Sequence, residues 1–308
     1  MAAGIVLQNV LLMLAYMLGG YILTKCKLTA SDHAKTVSGI LIYLCSPCLQ
    51  LSSWQSMAYS KENFGKMMLF FAVSFAVQVL FFALLYLIFR KKFDRARYRI
   101  LTVGGTLGNV GFFGLPIVLA LFPDQPIVTC YSTLFVLSMN MLAFTIGVFA
   151  ITRDKKYISL KEAVVNPVAL TAVGAVILYL LRIKLPIVVG DAVTLLGRMT
   201  TPMCMFVLGL RLASMDVLEL FRRPFSYAVT ALKLIVCPLF AYLCVAFLPF
   251  ADDVFKATIF ILSATPSAAV VLGFAELHEC ERKLSANVLL LTTICCVVTL
   301  PLLSLLVM

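Results

Sequence analysis

Hydrophobic residues run through this chain in long blocks, and the polar stretches between them are short. A helix needs roughly 17–25 apolar residues to cross a bilayer. Measured against that length, the pattern predicts ten spans, at about 3–24, 35–53, 67–89, 99–121, 126–151, 164–181, 192–211, 225–249, 255–275 and 285–308. The expected fold class is therefore an all-α integral membrane protein with ten transmembrane helices. No long polar segment separates them, so no soluble domain is expected.

Two of the blocks are interrupted where a spanning helix should be smooth. One reads G-N-V-G-F-F-G-L-P, from Gly108 to Pro116, and the other S-A-T-P-S, from Ser263 to Ser267. Glycine and proline break the backbone ladder, and hydrocarbon offers no water to replace the lost bonds. Such breaks survive at membrane depth only when buried in protein or lining a cavity. A matched pair in two halves of a chain points to a transporter binding site. Here the breaks fall in spans 4 and 9, and spans 2 and 7 carry a second match, Tyr43–Pro47 against Arg198–Pro202. Five spans per half is an odd number, so the second half must be inverted in the membrane. The expected organisation is two inverted five-helix repeats, 1–155 and 156–308, with broken crossover helices at spans 4 and 9.

Charge orients the spans. One set of loops carries Lys25, Lys27 and Lys35; the Arg90–Arg99 cluster; Arg153, Lys155, Lys156 and Lys161; Arg211, Arg222 and Arg223; and Arg282 with Lys283. The opposite set carries only Lys61, Lys66, Arg182, Lys184 and Lys256. The basic set is expected on the cytoplasmic side, which puts both termini outside the cell membrane. The net charge of +11 thus reflects topology and no nucleic-acid partner. Composition agrees: 62% hydrophobic and 13% charged residues, with mean hydropathy +1.05, exclude an ordinary soluble domain. The first apolar block lacks a basic leader and is long enough to span, so it reads as a helix and no cleaved signal.

Ten cysteines lie mostly inside apolar blocks, where a thiol behaves as a small hydrophobe. Cys45-Ser-Pro-Cys48 has redox-motif spacing but lies in a membrane segment without a βαβ context. No metal set, P-loop, H-E-x-x-H or G-x-S-x-G is present, and no catalytic residues are assigned.

The chemistry on offer is that of interrupted backbone. Half-helix N-termini present free N–H groups and a positive dipole end, which suits a carboxylate. Gly108, Gly111 and Gly114 allow close approach, and Asn109, Thr265 and Ser267 offer side-chain hydrogen bonds. With Pro116 and Pro266 these form the candidate substrate site. Asn140, mid-span, reads either as interhelical glue or as a substrate contact, and Ser46 and Gln50 beside Pro47 are weaker candidates. Lys233 reads either as a snorkelling lysine or as a helper cation, for an anionic substrate or a freed helix-end carbonyl. Arg198 is read as snorkelling, and Trp54 as a membrane-interface residue. No Asp, Glu or His marks a proton relay. Coupling to Na⁺ through backbone carbonyls stays open, and no cofactor is expected.

Gly108–Val118 (GNVGFFGLPIV) resembles the first crossover of the auxin efflux carrier family, which includes malate-type bacterial permeases. Lys233–Leu239, Thr201–Leu210 and Thr292–Pro301 are similar to other stretches of that family, in the same order along the whole chain. The resemblance implies elevator-type alternating access, an organic-anion substrate such as a carboxylate or dicarboxylate, and a protein that is often a homodimer. It maps the crossover prolines to Pro116 and Pro266 and the polar crossover residue to Asn109. Arg198 departs from the neutral residue expected there. The long loop of some plant members is absent, which favours a short, bacterial-type permease. Two rival readings are a sodium-coupled symporter of the bile-acid type and a non-transporting membrane sensor.

Overall fold

The computed structural model describes residues 2–30, 32–158, 167–214 and 221–306, without the side chains of 167–169. All regular elements among these residues are helical. Lys161 lies outside them.

The first half contains α1 (Ala2–Lys25), α2 (His33–Ile40), α3 (Ser46–Gln55), α4 (Lys61–Phe89), α5 (Ala96–Thr106), α6 (Leu115–Leu121), α7 (Ile127–Leu142) and α8 (Val148–Thr152). The second contains α9 (Pro167–Leu180), α10 (Ile187–Arg198), α11 (Thr200–Ala213), α12 (Pro224–Ala231), α13 (Cys237–Ala246), α14 (Asp253–Ser263), α15 (Ala269–Leu277) and α16 (Arg282–Ser304). Among the described residues, seven continuous helical stretches are long and apolar enough to cross a membrane. Shorter apolar helices cover Val110–Leu121 and Leu170–Leu180.

Several of these stretches contain a π turn, and three such turns share a cause. Leu41–Cys45 precedes Pro47, Val110–Gly114 precedes Pro116, and Leu232–Val236 precedes Pro238. A proline inside a helix lacks the N–H and crowds the carbonyl four residues back. Widening the turn upstream keeps the ladder intact: the N–H of Ser46, Leu115 and Cys237 each reaches five residues back, to Leu41, Val110 and Leu232. Pro202 acts more sharply, with α10 and α11 meeting at a bend at Met199.

Helix α1 packs along α11, and α3 packs against α9 and α10. The α1–α11 contact is backbone on backbone. A Cβ on Gly20 would lie 2.3 Å from the Phe206 carbonyl oxygen, and one on Gly209 would lie 2.0 Å from that of Met17. Small residues permit this approach between membrane helices, where dispersion replaces the hydrophobic effect. Elsewhere α4 packs on α7, α7 on α14, α13 on α14, and α16 on α5 and α12. One apolar cluster joins α1 and α11 to α14 and α16 through Met13, Cys204, Phe260 and Leu290. Trp54 corrects its sequence-based reading: it is buried and donates to the Thr133 hydroxyl at 3.1 Å. The ten cysteines are free.

Candidate functional site

The two interruptions meet. Gly108 and Ser267 form an antiparallel bridge. The Asn109 N–H donates to the Pro266 carbonyl at 2.7 Å, and the Ala268 N–H donates to the Leu107 carbonyl at 2.9 Å. Pro266 explains its own break: a proline disfavours the helical region for the residue before it, and α14 has already ended at Ser263, two residues short of Thr265. The other break is narrower than Gly108–Pro116. It occupies only Leu107–Asn109, with Leu107 extended at φ −78°, ψ 127°. Pro116 lies well inside the following helix, half-buried, so it is no positional counterpart of Pro266. Gly108 sits in the break because a Cβ there would fall 2.5 Å from Thr265 Oγ1 and 3.1 Å from Lys233 Nζ.

The carbonyls at the end of α14 are all accounted for. Phe260 and Ile261 accept from the Ala264 N–H, and Leu262 accepts from the Thr265 hydroxyl at 2.8 Å. Ser263 accepts from Lys233 Nζ at 2.8 Å, and Ala264 from the Cys296 thiol at 3.7 Å. Ser267 is held from both sides: its hydroxyl donates to the Gly104 carbonyl at 3.0 Å, and its N–H donates to the Thr292 hydroxyl at 3.1 Å.

Free donors remain at the crossover. In the first turns of the outgoing half-helices, Gly111 and Phe112 on one side and Ala269 and Val270 on the other have no intrahelical acceptor for their N–H groups. All four residues are half-buried. Phe112 and Ala269 pack against the same apolar cluster as Cys45 and Cys204. Asn109 is 4% exposed, and its side-chain nitrogen has no acceptor. That side chain lies beside Cys204 of α11.

The remaining candidates separate. Lys233 is 1% exposed and does not snorkel; it caps a freed helix-end carbonyl, because the unwound end of α14 leaves Ser263 needing a donor. No carboxylate lies within ion-pair reach of it among the described residues. Asn140 is half-buried one helical turn beyond Val136, whose side chain faces Gly111 at 3.2 Å from a built Cβ. Ser46 spends its hydroxyl on the Leu41 carbonyl of its own helix. Gln50 is buried with its side-chain oxygen unpaired. Arg198 is exposed in the last turn of α10.

This geometry sits in a chain whose relatives are transporters. Residues 5–304 match the family described as Membrane transport protein. The chain belongs to this auxin efflux carrier-like family. An uncharacterized transporter of Methanocaldococcus jannaschii is 28% identical over 293 residues, covering 92% of this chain and 93% of that protein. The protein is thus a multi-pass membrane transporter of the Membrane transport protein family.

Sequence reading of this transporter missed Gly104, Thr292 and Cys296. Thr292 and Thr293 were visible as adjacent hydroxyls in an apolar block, which is the signal for a side chain serving a neighbouring backbone. Gly104 offers only its carbonyl, which no residue type announces.

Proposed function

We propose that this membrane transport protein is a secondary transporter of small organic anions, carboxylates or dicarboxylates, in the plasma membrane. The observation that carries the reading is the set of free amides at the crossover, beside a capped end of α14. The carbonyls of α14 are all occupied, whereas the first-turn amides and the Asn109 side-chain nitrogen are not. Free amides at helix N-termini suit a carboxylate. The Lys233 ammonium adds positive potential without touching the free amides, since it is engaged by Ser263.

Elevator-type alternating access between two inverted repeats, 1–155 and 156–308, fits the packing. The first span of each half lies on the second span of the other: α1 on α11, and α9 on α3. A pseudo-two-fold axis between inverted halves requires that reciprocity. The loop charges favour outward termini.

Uptake into proteoliposomes tests the reading, using radiolabelled malate, malonate, acetate and phenylacetate with and without Na⁺ and H⁺ gradients. We expect saturable uptake of at least one carboxylate and a KM raised about tenfold by Asn109→Ala, the loss expected for a hydrogen bond to a charged group. Uptake that requires Na⁺ would favour the bile-acid type of symport. No uptake of any anion by folded protein would overturn the proposal.

A further inference from the structure

At the basic end of the bundle, the N-terminus of α2, the C-termini of α11 and α15 and the first turns of α16 enclose a cleft of about 510 Å³. That volume lies within the range of small-molecule sites. Its floor is apolar, built by Leu272, Leu289 and Leu290, each buried. Its rim is charged. Arg211 of α11 donates to Glu276 of α15 at 2.7 Å, and Lys35 of α2 stands on the same rim. Lys35 has no carboxylate within ion-pair reach among the described residues. The rim thus carries two cations against one carboxylate.

The cleft lines up with the crossover. On α15, Ala269, Leu272 and Glu276 share one face, running from the free first-turn amide to the rim. On α11, Cys204, Leu208 and Arg211 form a matching stripe from the neighbour of Asn109 to the same rim. Seven residues of helix separate each rim residue from the crossover, about 10 Å at 1.5 Å per residue. Leu208 of one stripe, Leu272 of the other and Leu289 of α16 belong to one apolar cluster. The path is closed by apolar side chains and bridged at its mouth by one ion pair between two helices.

Resting on the anion-transport reading above, we propose that this cleft is an anteroom for an amphipathic monocarboxylate, with Arg211–Glu276 as its latch. The ligand's carboxylate replaces Glu276 on Arg211 and is also held by Lys35, while its apolar body lies on the leucine floor. Exchange of one carboxylate for another on the guanidinium keeps a charge-assisted hydrogen bond and releases α15 from α11. The half-exposed pair is weak enough to be displaced by a ligand that adds apolar contact. The surplus rim cation matches a single negative charge, and the leucine floor offers nothing to a second carboxylate.

The test is equilibrium binding of radiolabelled phenylacetate to the full chain in nanodiscs, paired with uptake by the same variants in proteoliposomes. Glu276→Gln frees Arg211 and should tighten phenylacetate binding about threefold, while Lys35→Gln and Arg211→Gln should weaken it about threefold and about tenfold. Arg211→Lys keeps the charge and should stay within about threefold of wild type, which separates ligand loss from misfolding. Phenylethanol should not compete, and succinate should compete less well than phenylacetate. Unchanged or weaker binding by Glu276→Gln overturns the latch. If wild type transports carboxylates but these variants leave affinity and KM alone, the latch alone is wrong. If folded wild type neither binds nor moves any carboxylate, the transport reading falls with it.

Discussion

The Lys233 ammonium lies 2.8 Å from the carbonyl oxygen of Ser263, with both residues almost wholly buried. A lysine that the sequence leaves free to reach for the membrane surface is turned inward by a backbone group with no other partner. Lys233→Met keeps the bulk and removes the donor. It should lower stability by about 1–3 kcal/mol, the cost of a buried carbonyl left unpaired, read as a fall in thermal midpoint. An unchanged midpoint would mean that Ser263 finds another donor.

Gly108→Ala should be far worse than its chemistry suggests. Its Cβ would meet the Thr265 hydroxyl at 2.5 Å, and overpacking of this kind costs about 1–3 kcal/mol. Thr265→Ala in the same chain removes that oxygen and should restore much of the loss. A double-mutant cycle on thermal stability measures the coupling; additive effects would place the clash elsewhere.

The α1–α11 contact supplies its own control. Gly19→Ala adds a methyl to open space and should be neutral or gain up to about 1 kcal/mol from helix propensity. Gly20→Ala, one residue on, drives a methyl into the Phe206 carbonyl and should sharply reduce the yield of folded protein. Size-exclusion profiles of the two variants in detergent make the comparison.

The prolines should separate functionally. Pro266 lies within its break and accepts from Asn109, whereas Pro116 lies six residues beyond the helix start at Val110. Pro266→Ala should cut carboxylate uptake about tenfold or more, consistent with re-forming helix through the break, while Pro116→Ala should cost less. Equal losses with equal surface expression would show that the widened turn before Pro116 matters as much as the break.

Ser267→Ala and Thr292→Val each remove one of the two hydrogen bonds that pin Ser267, at about 1 kcal/mol apiece. Both should lower the thermal midpoint, and both should reduce uptake because Ala268 and Ala269 follow directly. A variant that loses stability and keeps full uptake would separate the pin from the site.

The helices were legible because their apolar blocks are long and their ends are charged. Most expected boundaries lie within a few residues of the observed ones; α4 begins six residues early, where Ser60 caps its first turn through the Asn63 N–H. The second break was legible because proline dictates the conformation of the residue before it. The first was located only within nine residues, since Gly108, Gly111, Gly114 and Pro116 all permit a break locally. Pairing with Pro266 and Ala268 selects Gly108, and that choice is tertiary. Lys233 failed for the same reason: its role is set by a carbonyl thirty residues away. The Arg211–Glu276 pair was invisible because each residue sits near a helix end, where charge is ordinary.

The bond from Asn109 to Pro266, with its return from Ala268 to Leu107, has a consequence for how the chain can be divided. A fragment ending near residue 155 would leave the Asn109 N–H and the Leu107 carbonyl bare inside hydrocarbon. A fragment beginning there would do the same to Pro266 and Ala268. Each half is therefore an incomplete protein on its own, and what each lacks is the backbone of the other. Co-expressed halves have a chemical reason to find one another, and a half expressed alone has a reason to be degraded.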